Sequence, residues 1–576
     1  MGFRGPSWVH NASIDSIPDS IPISEFILNE KYCRAGLTAS KKPFIWGATG
    51  DGYSAVEVSQ RVDYLARALA NEFGWRPNLG TEWDKTICVF SLNTIDFFPL
   101  TWAVHRLSGI ASLASAAYSV NELAYQLQAS NVHALFTCLP LLDTALKAAA
   151  KCGIPRNRVY LLDMPQSFTG SGSKPLKFKT VNQLIEKGSN LDELEDLRWK
   201  KGQAARQCAY LCFSSGTSGL PKGVMISHMN VISQISLFKL FEGYTRTENQ
   251  KDTVLGLLPY SHIFGLSVFH SAVYRGECVV VVPKFELATL LGAIERCKIN
   301  VLYVVPPVII SMVKNESLMK KYELNSVRHI ITGAAPLGNE TAEDLHRVYP
   351  TWSILQAYEG LTETTAVATH TSPHDIFFGS SGCLLPLLQA RLVTPDGTEV
   401  EEYDTPGELL LRGPTIVLGY LNNEAANRET FQDGWLRTGD EAVFRKSFNG
   451  EDHVFIVDRI KELIKVKGFQ VAPAELEAHL LTHPAVADTA VIGVHDDSAG
   501  EVPKAFVVKA SEITVDHQTL IHDIQKHVQD HKAHYKWLHG GIEFIDAIPK
   551  SASGKILRRY LRDKERETRR RGGSKI

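Results

Sequence analysis

Cysteine is sparse in this chain of 576 residues: nine are scattered along it, none in a Cys-x-x-Cys pair, with Cys208 and Cys212 the nearest neighbours. That excludes a disulfide framework and a zinc site of ordinary spacing, and points to reduced thiols inside a cell. Charge of neither sign dominates, with 61 Lys and Arg against 63 Asp and Glu and a formal net charge of −2. No electrostatic footprint for nucleic acid follows from such a balance. No run of about eighteen apolar residues exists, so a spanning helix is not expected. The opening Met-Gly-Phe-Arg-Gly-Pro-Ser lacks the apolar core of a secretory signal, and Pro6 stands where a myristoylation signal needs Ser or Thr. No internal repeat is visible.

What is present is ordinary globular composition, 44% hydrophobic and 22% charged, on a length that calls for more than one core. Val58, Val62, Leu65 and Leu69 mark one face of a helix over 56–70. Short apolar runs, Ile87-Cys-Val-Phe, Ala134-Leu-Phe and Val301-Leu-Tyr-Val-Val, read as buried strands. They alternate with helical stretches such as Glu286–Cys297, which predicts an α/β layered fold. Residues ~164–206 read as a mobile polar insert. After ~400 the strands read as shorter and more alternating, as in Gly407-Glu-Leu-Leu-Leu-Arg, and the segment Arg558–Arg571 as a solvated charged helix face.

The most informative stretch is 213–224, Phe-Ser-Ser-Gly-Thr-Ser-Gly-Leu-Pro-Lys-Gly-Val. Glycines let backbone N–H groups approach phosphate oxygens, while Ser214, Ser215, Thr217, Ser218 and Lys222 add donors and positive charge. Pro221 before the lysine, and no hydroxyl after it, separate this loop from a Walker A motif.

Further blocks follow in order: Leu258-Pro-Tyr-Ser-His-Ile-Phe-Gly-Leu, Thr332-Gly-Ala-Ala-Pro-Leu-Gly, Gly360-Leu-Thr-Glu, Gly379-Ser-Ser-Gly, Gly407-Glu-Leu with Gly419-Tyr420, Trp435-Leu-Arg-Thr-Gly-Asp, the run 457–475, and Pro549-Lys-Ser-Ala-Ser-Gly-Lys-Ile-Leu-Arg-Arg. Together with the glycine-rich loop they resemble the adenylate-forming (AMP-binding) superfamily of acyl- and aryl-CoA ligases, luciferases and peptide-synthetase adenylation domains. The resemblance is closest to acyl-CoA and coumarate-CoA ligases.

It implies a large N-terminal domain of layered sheets and helices over 1–457, a hinge at 458–461, and a small mobile α+β lid over 462–576. It also implies ATP-dependent conversion of a carboxylic acid to an acyl-adenylate, then transfer to coenzyme A, in fatty-acid or secondary metabolism. The resemblance assigns Ser214, Ser215, Gly216, Thr217, Ser218, Gly219 and Lys222 to the phosphates, and Glu363, after Gly360 and Thr362, to Mg²⁺. Gly333, Ala334, Ala335 and Tyr358 fall to adenine. One extra residue in Tyr358-Glu359-Gly360 leaves either Tyr358 or Glu359 in the stacking slot. Asp440 and Arg459 are assigned to ribose and phosphate. Lys555 is the lysine that bridges carboxylate and α-phosphate. Lys461 is the pivot, and Lys465, Lys467, Gly468 and Gln470 form the lid segment near the pantetheine arm. His262, Phe264 and Val268 fall to the acid pocket, His262 also to catalysis, and Phe264 in place of a tyrosine favours an apolar aliphatic or aryl-propenoic acid. A carrier-protein-loading enzyme and a luciferase-like oxygenase share the motifs. The last residues, Ser574-Lys575-Ile576, are similar to the peroxisomal Ser-Lys-Leu address, which would engage an import receptor.

Overall fold

Helix α1 (Ala55–Phe73) forms where the apolar stripe predicts it, and Val58, Val62, Leu65 and Leu69 are all buried. Ser54 and Glu57 close a capping box at its start, a device worth about 1 kcal/mol. The computed structural model describes all residues except 1–2, 10–15, 170–176, 215–220, 244, 247–249, 334–336, 338, 359–360, 468, 497, 511–515, 552–553 and 574–576, and gives only the backbone of 4, 167, 169, 339, 340, 358 and 569–573.

Where it is described from residue 177 onward, the supposed mobile insert is a packed strap instead. Within it, helix α2 (Val181–Gly188), capped by Thr180, buries Val181, Leu184 and Ile185. It lies so close to α1 that a Cβ on Gly188 would fall 1.8 Å from the Tyr64 carbonyl oxygen. Beyond α2, Arg67 and Asn78 donate to the carbonyls of Leu191 and Asp196, and Trp199 Nε1 donates to Ser108 Oγ at 2.9 Å. The segment looks polar because its anchors are its own carbonyls, which no side-chain pattern reveals.

Strands Thr86–Phe90, Ile110–Ala114, Ala134–Cys138 and Val159–Leu162 are buried at every position, as parallel strands covered on both faces should be. They pair in parallel. The antiparallel hairpin β1 (Cys208–Ser214) and β2 (Lys222–Ser227) extends that sheet. A second sheet runs from Cys383–Leu384 to Gly52–Tyr53 through parallel strands that include Val301–Val304 and His329–Thr332. Helix α3 (Ile263–Tyr274) is buried throughout. Strand β3 (Ser353–Tyr358) belongs to the second sheet, with Thr332 and Gln356 in register.

The third sheet is antiparallel and includes β4 (Trp435–Lys446) and β5 (Asp452–Arg459). Here the expectation of shorter strands fails: β4 has 12 residues and β5 has 8, against 5 in Thr86–Phe90. Alternating burial in Gly407–Arg412 holds as expected. A buried chain ties this sheet to the Gly379–Gly382 motif: Ser380 Oγ lies 2.8 Å from His453 Nδ1, and His453 Nε2 lies 3.0 Å from Asp375 Oδ2. All three side chains are saturated by one another and by Ser447, Asn449 and the Gly382 N–H, so they brace rather than react.

The small C-terminal domain has its own apolar core, from Ile464 to Leu561. Its elements are β6 (Ile464–Val466), β7 (Phe469–Val471), α4 (Pro473–Leu481), β8 (Val486–Asp496), β9 (Gly500–Lys509), α5 (His517–His531) and α6 (Arg558–Gly573). Ala490–Val494 and Lys504–Val508 lie within the long paired strands β8 and β9.

Helix α6 corrects the reading of a wholly solvated face. Arg558 makes two hydrogen bonds to Glu477, at 2.7 and 2.8 Å, Arg562 reaches Glu462 at 2.6 Å, Glu565 pairs with Lys504, and Leu561 is buried. Glu477 also accepts from the Val491 N–H at 2.8 Å. Glu477→Ala strands a buried guanidinium and is expected to cost the lid about 3–5 kcal/mol in urea unfolding. Asp563→Ala, at an exposed partner of Arg559, should cost under about 1 kcal/mol. Equal, small losses would contradict this placement.

Candidate active site

The register Ser214↔Lys222 brackets the glycine-rich loop, of which residues 215–220 are not described. Ser215, Gly216, Thr217, Ser218 and Gly219 therefore lie outside the described residues, while Ser214 and Lys222 mark the two ends of the loop. The Lys222 ammonium stands over the Tyr420 ring, 4.6 Å from its centroid. Tyr420 Oη donates to Glu363 Oε1 at 2.8 Å. Burial and then the Glu363 charge push the Tyr420 phenol well up, so it stays protonated as a donor. One aromatic side chain thus joins Lys222, the lysine expected at the phosphates, to the carboxylate expected to hold a metal. The sequence carried Tyr420 inside a motif but gave it no role, because nothing local says which carboxylate it meets.

Glu363 sits in a short 3₁₀ turn, Thr362–Thr364, with Thr362 and Glu363 both buried. The next two residues have left-handed backbone, Thr365 at φ 57° and Ala366 at φ 85°. Such strain in non-glycine residues costs on the order of 1–3 kcal/mol each and gathers at functional sites. The Thr365 hydroxyl, donating to the Thr415 carbonyl at 2.7 Å, helps hold the turn. Among the described residues no cation forms an ion pair with Glu363. A buried carboxylate hydrogen-bonded by a neutral phenol is a fitting hard donor for Mg²⁺.

Asp440 and Arg459 are cross-strand partners on β4 and β5, with Arg459 Nε 3.4 Å from Asp440 Oδ1. Lys555 arrives from the lid. Gly554 before it holds φ at 80°, and a Cβ there would meet Val305 at 3.2 Å, so this loop is seated against the large domain. Burial, then the like charge of Arg459, lower the Lys555 ammonium to about 8, while Asp440 and Glu363 pull the other way. Residues from four separate segments are thereby gathered at one point.

His262 caps α3, its Nδ1 accepting from the Phe264 N–H at 3.3 Å. Burial and then the Lys555 charge push it down to about 4. It is therefore neutral at physiological pH, with its proton on Nε2 as a donor. Phe264 and Val268 are each 1% exposed and belong to the main core. Phe264 meets Tyr303 edge-on, with centroids 6.3 Å apart.

Gly333 is described and buried, whereas Ala334, Ala335 and Gly360 fall outside the described residues. For Tyr358 only the backbone is described, paired to Thr369 without a break in register. The choice between Tyr358 and Glu359 thus lies outside the described residues. Beside these motifs, Thr332 Oγ1 and Gln356 Nε2 are buried with no hydrogen-bond partner among the described residues. Two orphaned polar atoms on neighbouring strands fit a polar planar ligand at the carboxyl ends of the sheet.

The other lid residues face away. Lys465, Lys467 and Gln470 are exposed on the β6–β7 hairpin, whose turn has Lys467 at φ 47°, and Gly468 lies outside the described residues. Lys461 is exposed and lies 3.4 Å from Glu429. Ser574, Lys575 and Ile576 are outside the described residues as well.

The family model for AMP-binding enzymes matches residues 35–421, and that for the AMP-binding enzyme C-terminal domain matches 475–555. An acyl-CoA ligase of Emericella nidulans, easD, is 42% identical over 567 residues, covering 98% of this chain and all of the relative. Another, cm3C of Cordyceps militaris, is 39% identical and covers 98% of this chain and 90% of its own. Among solved structures, the anthranilate CoA ligase AuaEII in complex with anthranoyl-AMP superposes with a TM-score of 0.81 at 23% identity, over 97% of this chain and 99% of that one. That fold likeness, the two matched domain models and relatives that align end to end agree with the motif order read along the chain: it belongs to the family of AMP-binding enzymes.

Proposed function

We propose that the site gathered around Lys555 activates a carboxylic acid with ATP and that the same lid then turns to pass the acyl group to coenzyme A. The enzyme is an AMP-forming acid–CoA ligase. In the first step a carboxylate oxygen attacks the α-phosphorus, and the bond to pyrophosphate breaks. In the second, the thiol sulfur attacks the acyl carbon, AMP leaves, and the thiol proton is lost.

Lys555 neutralises the two anions that must meet, and Arg459 adds a second positive charge beside them. Asp440 accepts from the ribose hydroxyls. Ser214, Lys222 and the loop between them hold the outgoing phosphates. Mg²⁺, when bound at Glu363, supplies charge stabilisation on the phosphate oxygens. His262, neutral, donates from Nε2 at the mouth of the acid pocket. Phe264 and Val268 line its apolar end, which supports an aliphatic or aryl-propenoic acid over a hydroxylated one. Lys461 is the pivot of the hinge at 458–461, between the domains 1–457 and 462–576, and Lys465, Lys467, Gly468 and Gln470 form the channel for the pantetheine arm.

The observation that carries this reading is that Lys555 points into the site while the β6–β7 hairpin faces solvent, so one lid presents one of its two functional segments at a time. Pyrophosphate release across a panel of carboxylic acids, with and without CoA, tests it. Apolar acids should support release, and only with CoA should a thioester form. Transfer to an added carrier protein but not to CoA, or light with oxygen, would contradict it.

The address is proposed on the Ser574-Lys575-Ile576 terminus alone. A fluorescent protein fused to the N-terminus should give puncta that coincide with a peroxisomal marker, and deletion of the tripeptide should make them diffuse without loss of activity in vitro. A diffuse full-length fusion with normal activity would contradict import.

A further inference from the structure

Four histidines outside the active site meet where α4 and α5 end. His479 lies in the last turn of α4 and His483 just beyond it, while His527 and His531, four residues apart, share one face at the end of α5. The rings of His479 and His527 are parallel, with centroids 4.3 Å apart and planes 4° apart. His531 stands 5.2 and 5.3 Å from those two rings. His483 meets His527 edge-on at 5.2 Å. One ring nitrogen from each of His479, His527 and His531 lies within 4.8 Å of the others.

Packing alone would not require the hydrogen bonds these rings make. His479 Nε2 and His531 Nδ1 both face the His527 carbonyl oxygen, at 3.1 and 2.9 Å, and His527 Nε2 lies 2.9 Å from Thr482 Oγ1. An imidazole that donates from one nitrogen to a carbonyl carries a lone pair on the other, which is how metal-binding histidines are oriented. Both helices end here, and helix C-termini favour cations. Of the nearby charged side chains, Glu475 holds Lys536 at 2.6 Å and Lys532 at 3.3 Å, and Asp523 lies 3.3 Å from His483, the fourth histidine of the cluster.

We propose that His479, His527 and His531 bind one divalent transition-metal ion of the zinc, nickel or copper type and so staple α4 to α5. Three imidazoles without a carboxylate suit those ions, whereas Mg²⁺ and Ca²⁺ take oxygen ligands. A zinc ion about 2.0–2.1 Å from each nitrogen draws the ligands to about 3.4 Å apart. The nitrogens start within 4.8 Å of one another and have to close to that spacing, and the exposed His531 leaves the site open to solvent. The staple would also steady the CoA-side hairpin, because Tyr535, just beyond α5, stacks on Phe469 at 4.5 Å.

The test uses full-length protein freed of any affinity tag and stripped with chelator, then equilibrated with zinc in the absence of ATP. One zinc per chain should be retained against excess Mg²⁺, with a rise in melting temperature. Cobalt in its place should give the visible absorption of a nitrogen-ligated ion. His531→Gln, at an exposed position, and the His527→Gln/His531→Gln pair should each weaken zinc binding about tenfold or more. His517→Gln should leave it unchanged. Equal zinc retention by the wild type and the paired variant, displacement by Mg²⁺, or no retention by the wild type would overturn the site.

Discussion

Lys555→Ala is expected to slow adenylation by on the order of 10²–10³ while leaving thioester formation from a supplied acyl-adenylate near normal. The ammonium sits among Asp440, Glu363 and Arg459, where carboxylate and α-phosphate would meet, and it enters on a loop seated against Val305. Such a charge matters only while the lid is in this orientation. The pH dependence has a definite sign. Burial lowers the Lys555 ammonium to about 8, below its ordinary 10.5, and the charged form is the one that acts. For the free enzyme, adenylation measured as kcat/KM should therefore fall as pH rises through about 8, and the fall should vanish in Lys555→Ala. His262, at about 4, does not titrate in that range. Equal losses in both half-reactions at unchanged stability would contradict the assignment.

Glu363→Gln should lower the adenylation rate by about 10²-fold or more and raise the Mg²⁺ concentration needed for half-maximal rate, because an amide offers one neutral oxygen where the carboxylate offers two charged ones. Tyr420→Phe removes the 2.8 Å hydrogen bond to the same carboxylate without removing a ligand. A hydrogen bond to a charged group is worth about 1.5–3 kcal/mol, so its effect should be the smaller one and should also appear as a shifted Mg²⁺ requirement. Pyrophosphate exchange at several Mg²⁺ concentrations separates the two variants. A Glu363→Gln enzyme with ordinary Mg²⁺ dependence would remove Glu363 from the metal.

Strands such as Thr86–Phe90 were legible because a parallel sheet buried on both faces writes itself as a continuous apolar run, and α1 was legible because its stripe has helical period. The strap beyond α2 was not, since Arg67 and Asn78 hold it by its carbonyls. The inward face of α6 was hidden for a related reason: Arg558, Arg562 and Glu565 look like solvated charge until Glu477, Glu462 and Lys504 are brought opposite them. For the site, the motif order supplied the residues, but their meeting depends on the docked lid. Tyr420 shows the limit most clearly, because its value lies in touching Glu363 and Lys222 together, residues that sequence distance keeps apart.

If the acid attacks the α-phosphorus of ATP, one carboxylate oxygen must leave with AMP, and isotope transfer follows that oxygen. With an apolar acid labelled with heavy oxygen in both carboxyl positions, turnover with ATP and CoA should place one heavy oxygen in the AMP phosphate and leave the other in the acyl-CoA carbonyl. Pyrophosphate should stay unlabelled. Label in inorganic phosphate or pyrophosphate, or unlabelled AMP beside an acyl-CoA product, would show that the acid is activated at another phosphorus or not through an acyl-adenylate at all.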